Sequence, residues 1–188
     1  MNRGTLVLVG LLSLTALRYL PAQVGTNATA AATIPANPKD VSTADAIIKA
    51  LYDANTIMVD RKREADRFRS LMLPGVRFMP AARTPNGVGI MRIQTLDDYV
   101  RAAMSGQPRH GFSEREIARK SEAFGNIMHV FSTYEARRDS ADTTPTRGIN
   151  SIQLFNDGAR WWVVGVMWDS ERPGSPIPAE YLKSTGGR

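Results

Sequence analysis

The residue types able to do chemistry are few in this chain. There are two histidines, five tyrosines and no cysteine. Without cysteine there are no disulfides, no thiol nucleophile, no thiolate metal site and no lipid-bearing cysteine. Arg119 is the most informative single residue. Alternation over Phe112–Phe124 and Ile127–Arg138 groups it with Ile117, Met128, Val130, Ser132 and Tyr134, where an unpaired charge is costly. Two readings follow: Arg119 anchors a carboxylate or other anion, or it reaches the sheet edge or pairs with an acid from a helix. Asn150, flanked in space by Gly148 and Gly165, either lines a cavity or satisfies nearby backbone while the glycines allow curvature. With Ser132, Tyr134, Trp161 and Met167, these two residues form the candidate lining of a pocket for a small, partly apolar molecule. Aromatic residues in a sheet are, equally, ordinary core.

The other polar residues point to surface chemistry. His129 faces Glu122 across the expected hairpin, the geometry of a cross-strand ion pair, and His110 lies in a loop without a ligand set. Glu114, Glu116, Glu135 and Arg137 share a charged face that reads as a salt-bridge network rather than a cation site. No spacing matches a zinc, phosphate-loop or nucleophile-elbow motif, so no metal and no cofactor is expected.

These side chains must be held by strands. Arg147–Glu171 (RGINSIQLFNDGARWWVVGVMWDSE) reads as two apolar strands around Asp157-Gly158, a strong hairpin signal. With those two residues as the loop, Leu154 faces Trp161, Ile152 faces Val163 and Asn150 faces Gly165. Gly148 and Met167 then join that face. Trp162 and Trp168 fall on the other, where they could help a partner subunit dock in a homodimer through the sheet. Both faces are largely apolar, so the hairpin is interior. Gly125-Asn126 makes a second two-residue hairpin upstream. The register between the Ile127 and Arg147 strands is left open.

Before the long strands come helices. Ser42 and Asp45 have capping-box spacing ahead of Ile47, Leu51, Ala54 and Met58, and Arg61–Leu73 continues as a second helix ended by Pro74-Gly75. Short strands are expected at Val76–Met79 and Val88–Ile93. Thr95 and Asp98 cap a third helix with Leu96, Tyr99, Val100 and Ala103 on one face.

The 188 residues suffice for one domain with a sizeable core. Residues 1–22 have the form of a secretory signal: Arg3, then apolar Gly4–Leu17, closed by Arg18 and Pro21. Fourteen helical residues span about 21 Å, short of the roughly 30 Å hydrocarbon core, so no stable membrane span is expected. Export to the periplasm or medium follows, an uncleaved anchor being the alternative. Residues 23–41 read as a disordered linker, 42–172 as the domain and 173–188 as a tail in which Tyr181 and Leu182 could pack back. The formal charge of +6 falls to +4 without Arg3 and Arg18, and the remaining basic residues are interleaved with acids. That argues against a nucleic-acid interface, which calls for a clustered basic stripe.

The order helix, helix, strand, strand, helix, four antiparallel strands, with FGNIMHVFSTYEAR, RGINSIQL and DGARWWVVGVMWDSE, resembles the nuclear transport factor 2-like superfamily. This superfamily includes ketosteroid isomerase, scytalone dehydratase, SnoaL-like cyclases and non-catalytic binding domains. The local match looks like secreted bacterial members without assigned function. The resemblance implies an α+β fold, a cone-shaped curved antiparallel sheet covered by three N-terminal helices. For the isomerase type it also implies an acidic base near the first strands and an acid-plus-tyrosine oxyanion hole deeper in the cone. No acid stands between Asp66 and Asp97, so the base is missing from its expected place. Three readings remain: a binding domain with a small-molecule ligand, an isomerase, dehydratase or cyclase with an unrecognised base, and a dimeric scaffold with a filled cone. A carboxylate or histidine inside the cone, bonded to Tyr134 or Asn150, would argue for the second; a closed dry core would exclude the first two.

Overall fold

Three of the helices start at a residue that can satisfy their free amides. In a computed structural model, which describes residues 34–56, 65–105, 112–137 and 144–183, Asn37 caps α1 (Pro38–Val41) by accepting from the Lys39 amide. Thr43 caps α2 (Ala44–Asn55) by accepting from Ala46 N at 3.0 Å. The capping residue is therefore Thr43 rather than Ser42. α3 spans Ala65–Ser70. At α4 (Leu96–Ser105) the Thr95–Asp98 pair is reciprocal: Asp98 N donates to Thr95 Oγ1 and Thr95 N donates to Asp98 Oδ2.

The strands are β1 (Met72–Arg83), β2 (Gly89–Met91), β3 (Ser113–Phe124), β4 (Ile127–Arg137), β5 (Thr146–Asn156) and β6 (Trp161–Ser170). They form one open six-stranded sheet in the order β2-β1-β6-β5-β4-β3. The α+β architecture is the expected one. Its sheet is mixed, because β1 lies parallel to β6 while the other neighbours are antiparallel. β1 is also three times the expected length, running from Met72 beside Val163 to the β2 pairing at Arg83↔Gly89.

Helices and inner sheet face enclose the core. α2 contributes Ile47, Ile48, Leu51, Tyr52 and Ala54, α3 Phe68, and the sheet Phe78, Val130, Ile152, Leu154, Val163 and Val166. All described residues fall in the unit Ala31–Arg188. The signal of residues 1–22 lies outside them. α1 falls inside the stretch read as linker. It is ordered because the Asp40 carboxylate, in a residue only 8% exposed, receives Arg67 Nε at 2.7 Å and Nη2 at 2.8 Å. Composition cannot reveal an ion pair whose partner is 27 residues away. In the tail, Ile177 is buried and the Tyr181 ring lies 5.2 Å from that of Phe131.

Two bulges change the faces expected from strict alternation. Along β3–β4, Phe124↔Ile127 through Ala118↔Thr133 keep the expected register; beyond them Glu116 faces Tyr134 and Glu114 faces Ala136. Ile117 is the extra residue. The first residues of β3 therefore change sides, and Glu114 and Glu116 join Ser132 and Tyr134. In β5–β6 the loop is Asp157–Arg160, not two residues, because Asp157 Oδ1 accepts from both Ala159 N and Arg160 N at 2.8 Å. Val164 is then extra in β6, so Asn150 faces Trp168 and Ile152 faces Val166. Gly165 and Met167 lie on the outer face, and Trp168 moves to the inner one. The gap expected between Gly148 and Gly165 does not form.

Candidate functional site

Between the helices and the inner face lies a cavity of about 390 Å³. Its apolar wall is an aromatic run. Phe68 and Phe78 are 5.7 Å apart, Phe78 stacks on Tyr99 at 4.3 Å, and Tyr99 meets Trp168 edge-on at 6.0 Å. Helical spacing puts Leu51, Tyr52 and Asn55 on the α2 face that looks into it. Tyr99 and Ala103 do the same from α4.

Of the residues expected to line a pocket, Tyr134 and Asn150 do so. Tyr134 is positioned by Gly148 directly opposite it on β5. A Cβ there would fall 2.5 Å from the Tyr134 hydroxyl, so glycine leaves room for the ring. That hydroxyl lies 3.0 Å from Ser170 Oγ. Ser132 is fully buried behind the cavity wall. Trp161 packs against the core, away from the cavity lining. Met167 lies on the outer face, where it borders a second hollow of about 310 Å³ beneath Pro176 and Ile177.

Arg119 is a correction. Its Nε donates to Glu116 Oε1 at 2.9 Å, Nη2 to Glu116 Oε2 and Nη1 to Asp45 of α2. Burial opposes its charge, but Glu116 and Asp45 more than offset that and raise its pKa. Arg119 is an ion-pair residue, the second of its two readings, and no anion anchor. His129 is 3.1 Å from Ser151 Oγ, on the outer face. Arg115 and Arg137 both pair with Glu135, which keeps part of the expected charged network.

The residues that sequence reasoning missed are the polar ones at the inner wall. Glu114 Oε1 accepts from Asn150 Nδ2 at 3.1 Å, and Oε2 from Asn55 Nδ2 at 2.9 Å. Asn55 Oδ1 in turn accepts from the Tyr99 hydroxyl at 2.8 Å. Asn150 Nδ2 also reaches the Tyr52 hydroxyl at 3.1 Å, which is 2.7 Å from Ser132 Oγ; Ser132 donates to Glu116 Oε1 at 2.6 Å. A carboxylate held by Arg119 can only accept, so the direction of each bond is fixed. Ser132 gives its single proton to Glu116. Tyr52 must therefore donate to Ser132, and Asn150 must donate to Tyr52. Burial pushes the Tyr52 phenol above its ordinary range, Glu114 adding to the effect, so the phenol keeps that proton.

Beside Ser132 and Asn150, Tyr52 and Tyr99 on the apolar helix faces hinted at this network, since a buried tyrosine hydroxyl needs a partner. Among the described residues, no three His, Asp or Glu side chains converge to hold a metal ion. Likewise no described helix is long and apolar enough to cross a membrane.

No protein-family model matches the chain, and no curated protein sequence matches it. Solved structures do. A nuclear transport factor 2-like protein of unknown function from Pseudomonas putida KT2440 superposes with a TM-score of 0.51 at 12% identity, over 74% of this chain and 88% of that one. A cystatin-like-fold protein of unknown function from Nostoc punctiforme gives 0.50 at 7% identity, over 69% and 93%. At such identities the likeness is one of fold. The chain has the nuclear transport factor 2-like, cystatin-like fold.

Proposed function

We propose that this nuclear transport factor 2-like domain binds a small, partly apolar molecule in its cavity. The observation that carries the reading is the cavity itself: about 390 Å³, walled by Phe68, Phe78, Tyr99 and Trp168, with the Glu114 carboxylate fixed by two amides. That volume lies in the range of small-molecule sites, and a few placed polar groups within aromatic walls are their usual make-up. A filled scaffold is disfavoured by the same opening.

The enzyme reading gains from one contact. Glu114 inside the cavity, bonded to Asn150, is a carboxylate where a general base could act. Abstraction of a carbon-bound proton also needs a donor for the enolate oxygen. Tyr52 donates to Ser132, Tyr99 donates to Asn55 and Tyr134 shares a hydrogen bond with Ser170, so each of these lining hydroxyls already has a partner. Glu114 is the only acid among the described residues lining the cavity. Binding is therefore the stronger reading.

Export rests on the pattern of residues 1–22 alone. Self-association through the sheet is supported by the outer face, where Val164 (37%) and Met167 (39%) are exposed beside Ile149 and Phe155. Trp162 stays on that face. Trp168 does not, and serves the cavity instead.

Native mass spectrometry of protein purified from its own host tests both proposals, reporting subunit number and any retained molecule. The expected result is a dimer carrying a small ligand, and a ligand-free Ala103→Trp variant whose added ring occupies the cavity. Retention of the same molecule by that variant would place binding elsewhere. Ligand-free monomer would count against both the pocket and the dimer.

A further inference from the structure

Beyond Pro80, which pairs with Trp168, β1 has only β2 beside it, and the two form a hairpin arm. Ala81 pairs with Met91, Ala82 with Ile90 and Arg83 with Gly89. The tip is a defined turn: Gly87 N donates to Thr84 O and Thr84 N to Val88 O, both at 2.9 Å, with Gly87 at φ +84°. Pairing with β6 puts Met79 beside Met167 of the outer face and Pro80 beside Trp168 of the inner one. By alternation the arm carries Met91 and Ile93 on its outer side and Val88 and Ile90 on its inner side. All four are 49–71% exposed. A two-stranded ribbon is marginal in water by itself, and clustered exposed apolar side chains mark an interaction surface.

The arm is also basic. No acid lies between Asp66 and Asp97, a stretch that holds five arginines. Arg67 and Arg69 pair with Asp40 and Asp97 at the helices. Arg83 and Arg92 belong to the arm and are exposed there, on opposite sides of the ribbon. Asp169, whose carboxyl feels the Arg83 charge, is itself gripped by Arg172 through both oxygens. Apolar side chains flanked by cations are what seat an amphipathic segment in a lipid headgroup layer: the first reach the acyl boundary, the second meet anionic headgroups.

We propose that the β1–β2 arm docks on an anionic lipid surface, its tip wedged into the headgroup layer. A second copy stacked on the outer sheet face would cover Met91 and Ile93 and leave Val88 and Ile90 in water. A headgroup layer surrounds the ribbon and takes up both sides, and Arg83 and Arg92 each meet lipid phosphate. The seat needs neither a membrane-spanning helix nor an occupant in the cavity.

The chain has no cysteine, so a single introduced one carries an environment-sensitive fluorophore to a chosen site. Ile93→Cys reports on the arm, and Met91→Cys is a second arm position should the first fail to fold. Ala159→Cys, exposed in the loop before β6, is the control. The full-length chain is titrated with vesicles of phosphatidylcholine alone or mixed equally with phosphatidylglycerol. With the mixed vesicles the arm label should brighten and shift to the blue, and lipid-borne quenchers should reach it. The label in Ala159→Cys should stay unchanged. This local readout separates the arm from any binding by the apolar residues 4–17. Arg83→Ala and Arg92→Ala should each weaken the response by about fivefold, and added salt should weaken it too. An arm label that ignores anionic vesicles, or responds equally to phosphatidylcholine alone, would overturn the proposal. A label change that follows protein concentration and not lipid would also overturn it, and would assign the arm to a second copy.

Discussion

The Asn150 amide on β5 donates to the Glu114 carboxylate on β3 at 3.1 Å, across the intervening strand β4. The two meet because the Ile117 bulge moves Glu114 to the inner face, where it stands opposite Ala136 of β4 while Asn150 stands opposite Ser132 of the same strand. Around this contact a polar chain, buried at Tyr52, Ser132 and Asn150, runs from Tyr99 at the cavity to the exposed Asp45 on α2.

Replacing Asn150 by Ala should be felt at both its partners. Tyr52 and Glu114 each lose a donor in a residue environment only 8% exposed, a cost of about 1–3 kcal/mol. Chemical denaturation should show that loss. Unchanged stability would mean the two bonds are exchanged for water without cost.

Gly148 predicts a packing failure. Gly148→Ala puts a methyl group into the Tyr134 ring and the Asp169 carbonyl oxygen, and the backbone oxygen cannot step aside cheaply. Overpacking of this kind costs about 1–3 kcal/mol. The urea midpoint should fall accordingly, and Tyr134→Phe should not relieve it, since the ring carbon Cζ at 2.6 Å remains in the way.

The Asp40–Arg67 pair should make stability fall in acid. The Arg67 hydrogen bonds, opposed by burial, hold the Asp40 carboxyl below its ordinary value of 3.8. A depressed folded-state pKa contributes stability that is fully present above the unfolded value and is lost as pH falls through the folded one. Asp40→Asn should therefore lower stability near neutrality by about 2 kcal/mol and flatten its fall below about pH 4. A chain beginning at Ser42 should match that loss or exceed it. Equal acid profiles for Asp40→Asn and the unaltered chain would refute the assignment.

Removing the carboxylate that Arg119 grips should destabilise the inner wall. Glu116→Ala takes away both of its contacts to the guanidinium and the acceptor of the Ser132 proton. Removing one member of a partly buried pair costs about 3 kcal/mol. Circular dichroism melting of Glu116→Ala against Asp45→Ala, whose carboxylate is exposed, would expose the difference, and similar melting points would contradict it.

By itself the sequence determined the local decisions: Thr95 and Asp98 as a reciprocal cap, Gly125-Asn126 as a tight loop, the strand identities from Phe112 onward, and through their order the fold. Those signals act over a few residues, where capping chemistry and positive φ at glycine (Gly125, +54°) leave little choice. Tertiary structure decided which side chains share a face. A strand alternates with period two, so the one-residue bulges at Ile117 and Val164 brought Glu114 into the cavity, Glu116 to the inner face, Trp168 onto the cavity wall and Met167 out of it. Nothing adjacent to Ile117 marks it as the extra residue. Beside the local grip of Arg119 on Glu116, the bulge is held by contacts distant in sequence: Arg119 with Asp45, and Asn55 and Asn150 gripping Glu114. The acid sought beside the first strands arrives instead from β3, brought by pairings that exist only once the sheet has closed over α2.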